Sequence, residues 1–282
     1  MIIENEKVRL EVVEHGGEIQ SFYDLTHQLE YMWQGDAAFW SGKNPSLFPM
    51  VSNTWTKDYE WQGQRYAMKN HGLVRYADLK CVKHTADEIV MELHENEDTL
   101  KQYPFRFTFQ IHYRLNGKRL DVVYHITNDS KDVMPFSFGL HPGFNCPLLP
   151  GEKFSDYKLV FPQDEQPKQL AFHGRHEIID RSFKEIALNY ELFEEYATLV
   201  YKDIKSPYVE LVGPKHKVRV GCLGYPFLAF WTAKRDAPFI CIEPWYGHGD
   251  FEEVNCSFDQ REGTMNLKPH EGFTTSYFIE LF

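Results

Sequence analysis

Three short segments of the chain set ionisable side chains beside residues that turn or stiffen the backbone. The first, KNHGLVRY, carries Asn70, His71, Gly72 and Arg75. The second, FSFGLHPGFN, holds His141 between Gly139 and a Pro142-Gly143 turn. The third, APFICIEPWYG, ends an apolar run on Glu243, where Pro244 is expected to stop the hydrogen-bond ladder of a strand. A carboxyl group that follows Phe239-Ile240-Cys241-Ile242 is partly desolvated in any sheet. Burial penalises its charged form, lifts its pKa above ~4.3 and makes it a better base near neutrality. Histidine titrates near ~6.5 and can hold or release a proton there. Taken singly, a histidine in a loop is a structural residue and a glutamate at a strand end is a solvated one. Together the three segments point to acid–base chemistry.

Strands must position these groups, because the apolar pattern has mainly period two. In FRFTFQIHYRL, Phe105, Phe107, Phe109, Ile111, Tyr113 and Leu115 alternate with Arg106, Thr108, Gln110, His112 and Arg114. Asn116-Gly117 follows, a pair that tolerates positive φ and closes hairpins. In the return strand Leu120, Val122, Tyr124 and Ile126 share one face. Further strands are expected at Val8–Val13, Ile89–Leu93, Lys158–Phe161, Tyr208–Val212, Lys217–Cys222, Phe239–Glu243 and Ser276–Leu281. Helical signals are few: a turn or two at Asp98–Tyr103, and a partial stripe over Ser182–Tyr196 through Phe183, Ile186, Leu188, Leu192 and Phe193. Many strands and few helices predict an all-β sandwich of antiparallel sheets. With no linker, repeat or low-complexity tract, one domain spanning 1–282 is expected.

Composition narrows the partners. A chain of 282 residues, 43% hydrophobic and with formal net charge −11, can bury a sizeable core. It is a poor match for nucleic acid or an anionic membrane surface. No apolar run approaches the ~20 residues of a membrane helix, and the N-terminus lacks a basic-then-apolar leader, so a cytoplasmic location is expected. Five scattered cysteines (Cys81, Cys146, Cys222, Cys241 and Cys256) form neither a disulfide framework nor a zinc knuckle. The tight clusters His173-Gly174-Arg175-His176 and His248-Gly249-Asp250 lack a third metal ligand in sequence and read as solvated loops, although His248 and Asp250 follow Glu243 closely enough to reach the rim of its site. Aromatic residues reach 16%. Flat rings suit strands, and they also suit the axial C–H faces of sugars.

The order and spacing of the motifs carry a resemblance. Gly16-Gly17-Glu18-Ile19 comes first, then FWSGKNPSLFPMV, Asn70-His71-Gly72, YPFRFTFQIHYRL, GLHPGFN and FICIEPWYG. His71 and His141 lie 70 positions apart, and His141 and Glu243 102. From near the N-terminus to Phe282 the chain resembles the aldose 1-epimerase (galactose mutarotase-like) family, in particular its LacX-like branch. The resemblance implies a β-supersandwich with a shallow sugar cleft and no cofactor or metal. By position, Glu243 matches the family's general base, His141 its general acid and His71 an assisting, sugar-contacting histidine. Asn70 and Arg75 match positions near the substrate. The resemblance also implies an arginine shortly after Val51. Here the run is Ser52-Asn53-Thr54-Trp55, which leaves Asn53 to bond a hydroxyl and Trp55 to stack on the ring. Trp231 and Trp245 are candidate cleft walls, with core packing as the alternative. Glu195 and Asp203 are both candidates to grip distal hydroxyls.

The implied reaction is mutarotation of a free hexose. The partner is a small sugar, and the chain is a monomer or homodimer. Two alternatives use the same cleft: a sugar-binding protein without catalysis, and a hexose-6-phosphate 1-epimerase. A dianionic phosphate wants converging cations, and only Arg75 is a clear one, with Lys43 and Lys57 as weak additions. A glycosidase would need two carboxylates astride the bond, and the sequence offers one strong one.

Overall fold

The computed structural model describes residues 1–171, 177–250, 252–254 and 256–282. Two large antiparallel sheets face each other. The nine-stranded sheet runs in the order Phe183–Ala187, Lys158–Glu165, Tyr208–Val212, Lys217–Gly221, Gly272–Leu281, Arg119–Asn128, Phe107–Asn116, Glu88–His94 and Lys80–His84. The expected hairpin sits in it, with Phe107 opposite Asn128 through to Asn116 opposite Arg119 around the Asn116-Gly117 turn. The second sheet runs Glu177–Asp180, Lys168–Ala171, Thr198–Lys202, Phe227–Trp231, Phe239–Trp245, Gly139–Leu140 and Ser46–Leu47, and Gly143–Asn145 also pairs with Phe239–Trp245. A four-stranded sheet over residues 2–30 packs its Val8, Leu10, Val12 and Phe22 into the same core.

Alternation on the second sheet creates the site. Leu228, Phe230, Ile240 and Ile242 point into the core shared with the nine-stranded sheet. Their neighbours Phe227, Ala229 and Trp245 join Leu47, Val51 and Val200 in a separate cluster, and Phe239 and Cys241 join Trp33 and Ala237 in a third. Both faces of Phe239–Trp245 are therefore covered, which is why this strand reads as an unbroken apolar run from Phe239 to Ile242. Glu243 lies on the face away from the shared core, opposite Ala229, whose methyl leaves room for the carboxyl group.

Two expectations are corrected. Ser182–Tyr196 is not one helix: Phe183–Ala187 is an edge strand on Lys158–Glu165, and only Tyr190–Tyr196 is helical. Asn189 starts that helix by accepting a hydrogen bond from Leu192 N–H at 3.0 Å. Nor does Pro244 stop its strand, which runs on to Trp245 with Pro244 opposite Leu228. On the other side Ile242 N–H donates to Pro142 and Tyr246 N–H to Phe138. Residue 244 would by that alternation serve the carbonyl of Leu140, and proline has no N–H to give. The Trp245 indole N–H donates to that carbonyl instead, at 3.2 Å, so the ladder survives the proline.

Candidate active site

The His71 segment is built around backbone that ordinary residues avoid. His71 has φ of +65° and Gly72 φ of +78°. A side chain at Gly72 would overlap the Phe48 carbonyl, so the glycine is required there. His71 N–H donates to Ser52 O at 2.8 Å, and Ser52 N–H donates to His71 Nδ1 at 3.0 Å. Because Nδ1 accepts, the neutral ring carries its proton on Nε2. Burial, helped by the Arg75 guanidinium, holds His71 down at about 3. His71 is thus a neutral hydrogen-bond donor at neutral pH.

His141 follows the short strand Gly139–Leu140, and its ring lies edge-on to that of His71 at 5.5 Å. Its Nε2 is 3.3 Å from Glu243 Oε2, and both side chains are buried, 8% and 1% exposed. Among the described residues neither Glu243 oxygen nor His141 Nδ1 has a hydrogen-bond partner. Burial pushes the Glu243 carboxyl well above the usual carboxylate range. Burial, with His71 and Arg75 nearby, pushes His141 well below the usual histidine range. Both shifts favour the uncharged pair, which holds one proton between two groups. An imidazolium beside a carboxylate has that same proton count, so the two forms of the pair differ only in which group holds the proton.

These groups form the floor of a cleft of about 430 Å³ lined by Trp40, Ser52, Asn70, His71, Arg75, Tyr76, His141, Thr198, Trp231, Glu243 and Trp245. The volume suits a small ligand. The structure therefore gathers Glu243, His141, His71, Asn70, Arg75, Trp231 and Trp245 in one place. It does not bring in Asn53 or Trp55. Asn53 spends its amide locally, donating to Met68 O at 3.2 Å and accepting from Thr54 N–H at 2.8 Å. Trp55, 52% exposed, lies in a neighbouring depression with Thr56, Asp58 and Arg65. Glu195 and Asp203 are exposed and do not line the cleft. Asp250 pairs with Arg261, and His248 approaches Glu262 at 3.4 Å, in a separate small hollow rather than at the cleft rim. His173-Gly174-Arg175-His176 lies outside the described residues.

Trp40, Ser52, Tyr76 and Thr198 line the cleft but were not singled out from the sequence. Trp40 matters most, since its ring packs against His141 at 4.8 Å and meets Trp231 edge-on at 5.4 Å. Its backbone is fixed by Trp33 Nε1, which donates to Trp40 O at 2.8 Å. Glu18 helps from the first motif, accepting from Lys43 N–H at 3.0 Å and Asn44 N–H at 3.2 Å. The tryptophan-rich segment was the available signal, but nothing in its spacing says which ring faces the site.

The β-sandwich fold is that of a family that acts on sugars, and the comparisons show the chain to be a member. Residues 1–254 match the family model for aldose 1-epimerase, and the chain belongs to that family. It is 31% identical to the chromosomal LacX protein of Lactococcus lactis subsp. lactis over 99% of this chain and 98% of that one. The crystal structure of a galactose mutarotase related enzyme from Lactobacillus acidophilus superposes with a TM-score of 0.94 at 29% identity, covering 100% and 97% of the two chains. That of a galactose mutarotase-like protein from Lactobacillus casei gives 0.92 at 27%, covering 100% and 99%.

Proposed function

We propose that this chain interconverts the α and β anomers of a free hexose by acid–base opening and closing of the ring. The observation that carries the reading is the 3.3 Å pairing of Glu243 with His141, buried and otherwise unpartnered among the described residues, at the floor of the cleft. A cyclic aldose is a hemiacetal. The Glu243 carboxylate takes the proton from the O1 hydroxyl while the His141 imidazolium gives one to the ring oxygen O5, and the C1–O5 bond breaks to leave the open aldehyde. The C1–C2 bond turns by about half a rotation. Then O5 attacks the other face of C1, O5 returns a proton to His141, and Glu243 gives one to O1. Each positioned acid or base contributes about 10²–10⁴-fold. His71 Nε2–H and the Arg75 guanidinium steady the oxygens, and Trp40 and Trp231 pack on the C–H faces. Arg75 is the one cation lining the cleft among Arg75, Lys43 and Lys57, which favours an uncharged sugar over a sugar phosphate.

Freshly dissolved α-glucose and α-galactose provide the test, followed by polarimetry. The wild-type chain accelerates the drift to equilibrium, and Glu243→Gln, nearly the same shape, falls to the buffer rate. Sugar binding without acceleration would leave a binding protein instead. Acceleration confined to α-glucose 6-phosphate would make the phosphate the substrate.

A further inference from the structure

Cys241 takes no part in the chemistry above, yet it stands two residues before Glu243 on the same face of the same strand. One donor atom each from His141, Cys241 and Glu243 lies within 4.8 Å of the others, and all three side chains are buried. The His141 Nε2 to Glu243 Oε2 distance of 3.3 Å is the edge of a tetrahedron with metal–ligand bonds of about 2.0–2.1 Å. A thiol, an imidazole and a carboxylate are the donor types that Zn²⁺ takes. Both Glu243 oxygens and His141 Nδ1 lack a hydrogen-bond partner of good geometry among the described residues, the Trp245 indole N–H being spent on Leu140 O, so the carboxylate has acceptor capacity left for a metal.

We propose that the cleft floor is a three-ligand site for a thiophilic divalent cation of the Zn²⁺ type, formed by His141, Cys241 and Glu243, with the fourth position open to the cleft. The ion takes the thiolate, the carboxylate and the neutral imidazole, so the thiol proton and the one proton held by the Glu243–His141 pair both pass to solvent. It is an inhibitor rather than a cofactor, because it occupies both groups that would handle the sugar's protons. Ala237, Phe239 and Trp33 pack around Cys241 and bring no competing polar ligand. Cys241 itself is fully buried and lies behind the cleft lining, to which His141 and Glu243 belong, so the metal reaches the thiol past those two side chains.

Co²⁺ is the probe, because thiolate ligation gives it a charge-transfer band and tetrahedral geometry gives it strong visible bands. The background is Cys81→Ser/Cys256→Ser, since these two are the partly exposed cysteines. One equivalent of Co²⁺ should produce both signatures, and Zn²⁺ should erase them. Cys241→Ser and Cys241→Ala, each checked for folding by circular dichroism, should lose the charge-transfer band and bind Zn²⁺ about tenfold more weakly or worse. Absence of the band in the background protein, or its persistence without Cys241, overturns the site. Inhibition by the ion rests on the sugar reading, so micromolar Zn²⁺ should slow mutarotation in competition with sugar. Cobalt ligation is read without any sugar. A chain that binds Co²⁺ through Cys241 but never mutarotates would refute the epimerase reading and leave the metal site standing. A chain that mutarotates unaffected by bound Zn²⁺ would refute the inhibition.

Discussion

Glu243 and His141 face each other at 3.3 Å in a place that disfavours charge, and this sets the pH behaviour of the site. Burial raises the carboxyl and lowers the imidazole, so the macroscopic titrations of the pair move apart. The singly protonated pair then persists over a wider range than two exposed groups would allow. The expected kcat/KM is flat across neutrality, with no limb near the ordinary histidine value of ~6.5. Steady-state polarimetry from acid to alkaline pH measures it, and a limb at that value would count against a buried pair. His71 makes a separate prediction, on stability. Its folded pKa, about 3, lies below the unfolded value, so between ~6.5 and about 3 the unfolded chain binds the extra proton and stability falls as pH falls. His71→Asn should therefore flatten the decline in urea midpoint between roughly pH 6.5 and 4.5 by up to one proton. An unchanged slope would mean that His71 titrates normally. Glu243 was legible at this scale because it ended an apolar run. Trp40 was not, because its role depends on which way one ring turns in a loop.

Among the elements, what could be seen in the sequence was whatever local chemistry decides. The Phe107–Asn116 and Arg119–Asn128 hairpin follows from alternation and from Asn116-Gly117, and the two strands pair antiparallel as expected. The Ser182–Tyr196 stretch did not, because spacing alone cannot separate an edge strand that joins a helix from a longer helix, and Asn189 decides where the change falls. Pro244 misled for a different reason: the hydrogen bond it cannot make is replaced by a side chain, Trp245, whose reach is a tertiary fact. Asn53 and Trp55 were placed by a resemblance that breaks after Val51, and that strand-end loop carries them away from the cleft lining. The Asn70-His71-Gly72 turn gives this scale its prediction. Gly72→Ala must force a methyl against the Phe48 carbonyl at positive φ, so it should cost more than about 1 kcal/mol and displace His71. Thermal melts and mutarotation rates should fall together, and a neutral Gly72→Ala would show that the turn relaxes freely.

Across the whole molecule the core and the cleft meet at Phe48. Its ring packs with Phe107 at 5.2 Å, Phe109 at 5.3 Å, Phe136 at 5.6 Å and Tyr103 at 5.9 Å, deep between the sheets. Its carbonyl accepts from Leu73 N–H at 2.7 Å and Val74 N–H at 3.3 Å, and its backbone bridges to Gly72. The packing of the sandwich is therefore transmitted to the turn that holds His71 and to the short helix Val74–Tyr76 that carries Arg75. Phe48→Ala removes a fully buried ring and should cost about 3–5 kcal/mol. The variant should also lose rate at temperatures where it remains folded, because His71 and Arg75 shift with their support. Phe161→Ala provides the contrast. Its ring is equally buried and packs on Phe183 at 5.2 Å and Phe230 at 6.4 Å, with no backbone bond to the His71 turn. It should lose comparable stability and retain its rate when folded. Urea denaturation paired with polarimetry on both variants separates the effects, and equal rate losses in the two would show that activity tracks general stability rather than the Phe48 link.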